Sequence, residues 1–338
     1  MVTILMPVYN GEAYLREAIQ SILDQTYRDF IFLILNDGST DKTEEIILSF
    51  DDKRIQYVKN HENLKLVKTL NKGLSLVKTK YVARMDADDI CLPERLERQL
   101  AYMEQNPDVG VVGTWCRSFG ENRNNLNNKD ENHDQEINHE QICFKQLYQI
   151  QIVHPSCMMR MSVLKQLDVL FNEYYLHAED YELFTRLSHV TKLANIPEYL
   201  HLYRKHDEAV SVLYKKQQKE NSLMVIKREF STLGVSISDL QAEDFCRLNY
   251  QDYRNIQMSA TEMKVFLEQL VSANQSSQIF DECFFFEKLS NLWFSYCHEL
   301  NCSISLYKSS SLSKKLSFTR MFKWQIRKVL RINKPKNE

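Results

Sequence analysis

Phe30-Ile31-Phe32-Leu33-Ile34-Leu35 is an unbroken apolar run that stops at Asn36-Asp37-Gly38-Ser39-Thr40-Asp41. A strand without polar alternation is one covered on both faces, as in a parallel sheet packed between helices. The polar stop supplies a turn and N-cap candidates for a helix through Ile46, Ile47 and Phe50. The same alternation extends both ways. Upstream, residues 2–6 form a short apolar strand ended by Pro7, and Leu15, Ala18, Ile19 and Ile22 recur at helical spacing. Downstream come a strand at 55–58, a helix with Leu66, Leu70, Leu74 and Val77, a strand at 80–85, a helix after Pro93 and a strand at 109–112. The pattern predicts an α/β fold with a mostly parallel central sheet flanked by helices.

The strand at 80–85 runs into Met85-Asp86-Ala87-Asp88-Asp89. Two like charges about 4 Å apart repel by roughly 4 kcal/mol at an effective dielectric near 20. A hard divalent cation with oxygen ligands would offset that repulsion. Residues two apart on a strand share a face, so Asp86 and Asp88 can address one ligand. Taken alone, the cluster also suits a solvated turn in which Asp88 or Asp89 caps the next helix. Its setting favours the ligand. Ligands of an open parallel sheet bind beyond the carboxyl ends of the strands, and three polar strand-ends meet that condition: Pro7-Val8-Tyr9-Asn10, Asn36-Asp37-Gly38 and Asp86-Ala87-Asp88. With only seven glycines, no G-x-x-x-x-G-K-[ST] or G-x-G-x-x-G loop can be assembled. Any nucleotide phosphate would therefore depend on a metal held by carboxylates.

The formal net charge of −2 argues against whole-chain binding of nucleic acid. Eight cysteines include no C-x-x-C pair and read as reduced core thiols of a cytoplasmic protein. The N-terminus opens directly into a strand pattern, with no signal-peptide pattern and no run of membrane-spanning length. Residues 121–141 are polar, with seven asparagines, and read as a loop or insertion. A second structured block follows at about 150–206, and beyond Ala209 helical periodicity dominates. The expected organisation is a catalytic domain over 1–210, a helical region over 211–312 and a tail over 313–338.

Taken together the motifs resemble family 2 glycosyltransferases, inverting enzymes of the GT-A fold that use nucleotide-diphosphate sugars. The resemblance covers about residues 2–210. It rests on Pro7-Val8-Tyr9-Asn10-Gly11, Gln25-Thr26-Tyr27, Asn36-Asp37-Gly38-Ser39-Thr40-Asp41, Asn71-Lys72-Gly73, Ala83-Arg84-Met85-Asp86-Ala87-Asp88-Asp89, His177-Ala178-Glu179-Asp180 and Tyr203-Arg204-Lys205-His206. It implies that Pro7, Tyr9 and Asn10 line the base and ribose pocket. Asp37 would accept the N3–H of a uracil or thymine ring, a donor that cytosine lacks. Asp86 would face ribose and diphosphate. Asp88 would coordinate Mg²⁺ or Mn²⁺, with His206 completing the shell or reaching the diphosphate. Asp180 would be the general base, Glu179 would orient donor or acceptor, and His154 would lie on an acceptor-side loop. Glu179 and Asp180 also suit a helix start, where carboxylates favour the macrodipole.

The tail over 313–336 carries nine Lys or Arg and no acidic residue, which leaves −11 on the rest of the chain, the total of −2 less nine positive charges. Phe318, Met321, Phe322, Val329 and Ile332 fall near one helical face and Trp324 at its margin, so the segment suits an anionic membrane surface. The expected activity is transfer of a sugar from a UDP-sugar to a hydroxyl of a glycan acceptor. The resemblance's usual setting, surface-polysaccharide synthesis, implies a lipid-linked acceptor at the inner face of the cell membrane. Two other readings are a nucleotidyltransferase of related fold and a non-catalytic module that binds nucleotide sugar or membrane. The first would need a glycine- and basic-rich loop where Pro7-Val8-Tyr9-Asn10-Gly11 stands. The second would need no base at Glu179-Asp180.

Overall fold

The computed structural model describes residues 1–120, 132–206 and 210–313, and the chain divides into two compact units. The first comprises residues 1–146 and 150–225, the second residues 147–149 and 226–338. In the first, β1 (Val2–Val8), β2 (Phe30–Asn36), β3 (Ile55–Lys59) and β4 (Tyr81–Arg84) lie side by side in the order β3-β2-β1-β4, all parallel. The helices between them are α1 (Leu15–Leu23), α2 (Thr43–Leu48) and α3 (Leu66–Leu76).

The period-two rule divides the core. Val2, Ile4, Met6 and Val8 of β1 pack with Phe30, Phe32 and Ile34 of β2 and with α1, while Leu5, Leu33 and Leu35 point the other way onto Val67, Leu70 and Leu74 of α3. Strand β2, apolar from Phe30 to Leu35, is thus buried on both faces, as its composition predicts.

The other half of the sheet is mixed. β8 (Met158–Arg160) runs antiparallel to β4 and to β6 (Val109–Phe119). β6 pairs in parallel with β9 (Lys192–Arg204), and the two-residue β5 (Ile90–Cys91) closes the edge antiparallel to β9. After β4 the chain therefore leaves the parallel half and crosses to β9. The acidic loop is that crossing. Helices α4 (Arg95–Gln105), α5 (His139–Lys145), α6 (Met161–Leu164) and α7 (Glu179–Ser188) complete the unit.

Part of the polar stretch read as a loop is ordered structure. Residues 121–131 lie outside the described residues, but β7 (Asn132–His133) pairs with β6 and α5 begins at His139. Trp115 Nε1 donates to the Gln135 carbonyl at 2.9 Å and Asn195 Nδ2 to the Glu136 carbonyl at 2.7 Å, bonds that no local pattern announces.

The second unit is helical, with long helices at Asp239–Asn249, Ala260–Ser277 and Glu282–Glu299. Ser238 and Ser259 each form a capping box with the residue three positions on, Gln241 and Glu262. Among the described residues no helix is long and apolar enough to cross a membrane. All eight cysteines are free; Cys91, Cys116, Cys157 and Cys297 are buried, whereas Cys283 is exposed.

Gly38 shows how tightly the strand-end loops are joined. Its φ is +72°, and a Cβ there would stand 2.7 Å from the Glu62 carbonyl carbon and 2.9 Å from the Asn63 nitrogen. Those are backbone atoms that no side-chain rotation can clear. Gly38→Ala should therefore destabilise the first unit by about 2–4 kcal/mol, combining left-handed strain with overpacking. The expected readout is a lower urea midpoint at unchanged slope.

Candidate active site

β1, β2 and β4 are neighbours in register, Val8 beside Asn36 and Leu5 beside Arg84. Their carboxyl ends thus place Tyr9-Asn10, Asp37 and Asp86 on one rim. The first two loops are stitched together. Asn10 holds a left-handed φ of 50° while its Oδ1 accepts from Thr40 N at 2.9 Å, and its own N–H donates to Ser39 Oγ at 2.9 Å. Gly11 N–H donates to Thr43 Oγ1 and Glu12 N–H to Asp41 Oδ2. Tyr9 stands half exposed at the rim, and Pro7, a β1 residue opposite Leu35, leads into the loop.

Asp37 is buried. Its Oδ1 accepts from Asn60 Nδ2 at 2.6 Å and from Leu64 N at 3.0 Å, which leaves Oδ2 without a partner among the described residues. Asn60 is oriented in turn by Lys72, whose Nζ donates to its Oδ1 at 2.6 Å. Two other motif residues serve the frame. Gln25 bridges the Leu92 carbonyl and the Leu96 N–H, and Asn71 exchanges two hydrogen bonds with the Phe171 backbone.

Asp86, Asp88 and Asp89 bring one ligand atom each within 4.8 Å of one another. Their environments differ. Asp86 Oδ1 pairs with Arg84 Nη2 at 2.5 Å. Asp88 Oδ2 faces His206 Nε2 at 3.0 Å, and loss of hydration, reinforced by Asp89 and Asp86, lifts its carboxyl to about 6. Asp89 is buried and committed at both oxygens, to Arg204 N–H at 2.8 Å and to His201 Nε2 at 2.8 Å. It is a structural member of the cluster. Asp88 with His206, joined by Asp86, is the donor set left for a cation. Carboxylate oxygens with one imidazole nitrogen suit Mn²⁺ or Mg²⁺.

Register explains why His206 arrives here. Ile90 pairs with Leu202 and Cys91 with His201, so the residues before Ile90 run beside those after Leu202. Arg204 sits between the Tyr14 and Phe119 rings, 4.5 Å from each centroid, donates from Nε to the Asp88 carbonyl at 2.6 Å and pairs with Glu17 at 2.5 Å. Behind it, Arg95 is fully buried, with donors on Gln99, His201 and the Arg84 carbonyl. Arg95, His201 and Asn60 are site-supporting residues that sequence reading missed. A signal existed for Arg95: it shares a helical stripe with Leu96, Gln99 and Met103, where a charge is out of place.

Glu179 and Asp180 occupy the first turn of α7, as the macrodipole reading expects. The dipole would favour their anions by about 0.3–1 kcal/mol, yet both titrate high. Burial lifts Glu179 to about 7, with Asp180 adding to the effect, and lifts Asp180 to about 6. Desolvation wins, and such displaced carboxyls are characteristic of catalytic sites. His177, at the entry to α7, holds a φ of 66°. His154 is buried between Phe171 and Phe184, and its Nδ1 stands 4.0 Å from Asp180 Oδ2, beyond hydrogen-bond reach. Burial pushes its pKa well below the ordinary histidine value, so the ring is neutral.

A family model described as glycosyl transferase family 2 matches residues 3–168. An uncharacterized glycosyltransferase of Haemophilus influenzae is 34% identical over 268 residues, which cover 75% of this chain and 82% of that protein. Another, from Methanocaldococcus jannaschii, is 37% identical over 214 residues, 60% of this chain and 70% of the relative. Among solved structures, S. aureus TarS 1–349 in complex with UDP-GlcNAc superposes with a TM-score of 0.56 at 16% identity, over 91% of this chain and 90% of that one. A mannosyltransferase of Pyrobaculum calidifontis, in complex with GDP-Man and Mn²⁺, gives 0.54 at 13% identity, over 97% and 86%. At such identities the likeness is one of fold, and that fold is GT-A.

Proposed function

This chain belongs to glycosyl transferase family 2 and is a glycosyltransferase; from that premise we propose that it moves a sugar from a UDP-sugar to a hydroxyl of a lipid-linked glycan with inversion at the anomeric carbon. The observation that carries the reading is the meeting of Asp88 and His206 at 3.0 Å on the strand-end rim that also holds Asp37 and Asp86. Pro7, Tyr9 and Asn10 bound the base and ribose pocket. Asp37 takes the N3–H of the ring through Oδ2, and cytosine, without that donor, would leave it unpaired. Asp86 faces ribose and diphosphate.

Asp88 and His206 would hold Mn²⁺ or Mg²⁺. When bound, the cation supplies Lewis-acid stabilisation of the departing diphosphate, a need sharpened by the absence of a glycine-rich phosphate loop. Asp180 accepts the proton of the acceptor hydroxyl as its oxygen attacks the anomeric carbon and the bond to the diphosphate oxygen breaks. A pKa of about 6 suits a general base, because the group is ionised at neutral pH and more basic than an ordinary carboxylate. Glu179 orients the sugars from the same helical turn, and His154 lies on the acceptor side. A nucleotide-binding module without chemistry would have no use for this displaced carboxyl pair.

The donor assignment is checked by titrating the protein with Mn²⁺ and UDP-, dTDP-, GDP- and CDP-sugars. UDP-sugars should bind tightest, and a preference for GDP-sugars would remove Asp37 from its role. Asp88→Asn should abolish turnover and the Mn²⁺-dependent part of UDP affinity while the melting temperature holds. Metal-dependent affinity equal to wild type would sink the cation assignment.

Since the ionised form of Asp180 is the active one, kcat/KM should rise with pH through a midpoint near 6 and level off above it. Asp180→Asn should keep UDP binding and lose about 10²–10⁴-fold in turnover. A wild-type rate would place the base elsewhere.

The basic tail over 313–336, apart from Ser313, lies outside the described residues. Its charge and apolar spacing support contact with an anionic membrane, where a lipid-linked acceptor would be found. Full-length protein should float with anionic vesicles and fail to do so after truncation at residue 312. Equal flotation of both would exclude the tail as the anchor.

A further inference from the structure

Asp88 and His206 reach each other from separate parts of the chain, one in the loop after β4 and the other just beyond β9. Their 3.0 Å approach depends on how that loop is fastened to β9. The β5–β9 ladder has only two paired positions, Ile90 with Leu202 and Cys91 with His201. Beyond it, side chains take over. Asp89 Oδ1 receives the Arg204 N–H, Asp89 Oδ2 receives His201 Nε2, and Arg204 Nε reaches the Asp88 carbonyl.

His201 is fully buried, as are Arg95 and Asp89 on either side of it. Its Nδ1 stands 3.3 Å from Arg95 Nη1. A guanidinium has donors and no acceptor, so Nδ1 must accept. The single hydrogen of the neutral ring then resides on Nε2, aimed at Asp89 Oδ2. Arg95 thereby selects the tautomer, and the tautomer holds Asp89. The same guanidinium donates to the Arg84 carbonyl at 2.7 Å, just upstream of the acidic loop. One buried cation braces the loop directly at its start and, through His201, at its end.

We propose that His201 is a positioning residue for the divalent cation: clamped between Arg95 and Asp89, it keeps the loop carrying Asp88 in register with the strand end carrying His206. The proposal rests on the cation reading given above. Partners that orient metal ligands from behind are worth about 10–100-fold in metal affinity.

The test uses the full-length chain with UDP. Mn²⁺ affinity is read by electron paramagnetic resonance, UDP affinity without metal by calorimetry, and folding by thermal melting. His201→Phe fills the slot without either nitrogen, and should weaken Mn²⁺ by about 10–100-fold with metal-free UDP affinity unchanged. His201→Gln, whose amide can accept from Arg95 and donate to Asp89, should restore most of the lost Mn²⁺ affinity. If His201→Phe does not fold, His201→Asn, too short to reach both partners, takes its place with the same expectation. Wild-type Mn²⁺ affinity in the folded Phe or Asn variant overturns the proposal and leaves the cation site standing. A wild-type protein that binds no Mn²⁺ beside UDP overturns the cation reading and the proposal with it.

Discussion

Three aspartates crowded onto one loop are an electrostatic liability, and much of the catalytic unit is arranged to contain it. The ligand atoms of Asp86, Asp88 and Asp89 lie within 4.8 Å of one another, a spacing at which each pair of full charges costs several kcal/mol. Three arginines answer them by different routes. Arg84 pairs with Asp86 directly, Arg95 reaches Asp89 through the His201 ring, and Arg204 holds the Asp88 carbonyl with its guanidinium and the Asp89 carboxylate with its backbone N–H. Asp88 faces an imidazole at the rim, and loss of hydration lifts its carboxyl to about 6, while deeper burial pushes Asp89 well above the ordinary carboxylate range.

This containment ties the fold to the chemistry. The crossing from β4 to β5 takes the loop out of the parallel half of the sheet and lays it against β9, whose end carries Arg204 and whose continuation carries His206. Strand-end geometry supplies Asp37 and Asp86 from one direction, and the antiparallel edge supplies His206 from the other. The helix bearing Glu179 and Asp180 adds carboxyls whose pKa values burial raises to about 7 and about 6, against a dipole that would lower them. How readily each carboxylate ionises is thus set by how far it is desolvated and partnered.

Local pattern was a good guide wherever packing follows directly from it. The apolar run of β2, the helical stripe of α3 and the placing of polar loops at the ends of β1, β2 and β4 all have periodicity as their cause. The polar stretch was misleading over its described part, 132–141, because its order comes from Trp115 and Asn195, which are distant in sequence. Arg95 and His201 stayed hidden for the same reason. Each belongs to a regular element, and its partners become neighbours only when β5 closes on β9.

The amino-acid sequence by itself determined the α/β class, the run of strand-end motifs and the candidate carboxylates, because side-chain periodicity and residue chemistry are local properties. Tertiary structure alone decided which groups partner each carboxylate. Asp89 and Asp88 are adjacent and chemically identical, yet one is sealed between His201 and Arg204 while the other faces His206 at the rim. That distinction arises from long-range pairing and desolvation, which depend on where the chain returns and not on the order of its residues nearby.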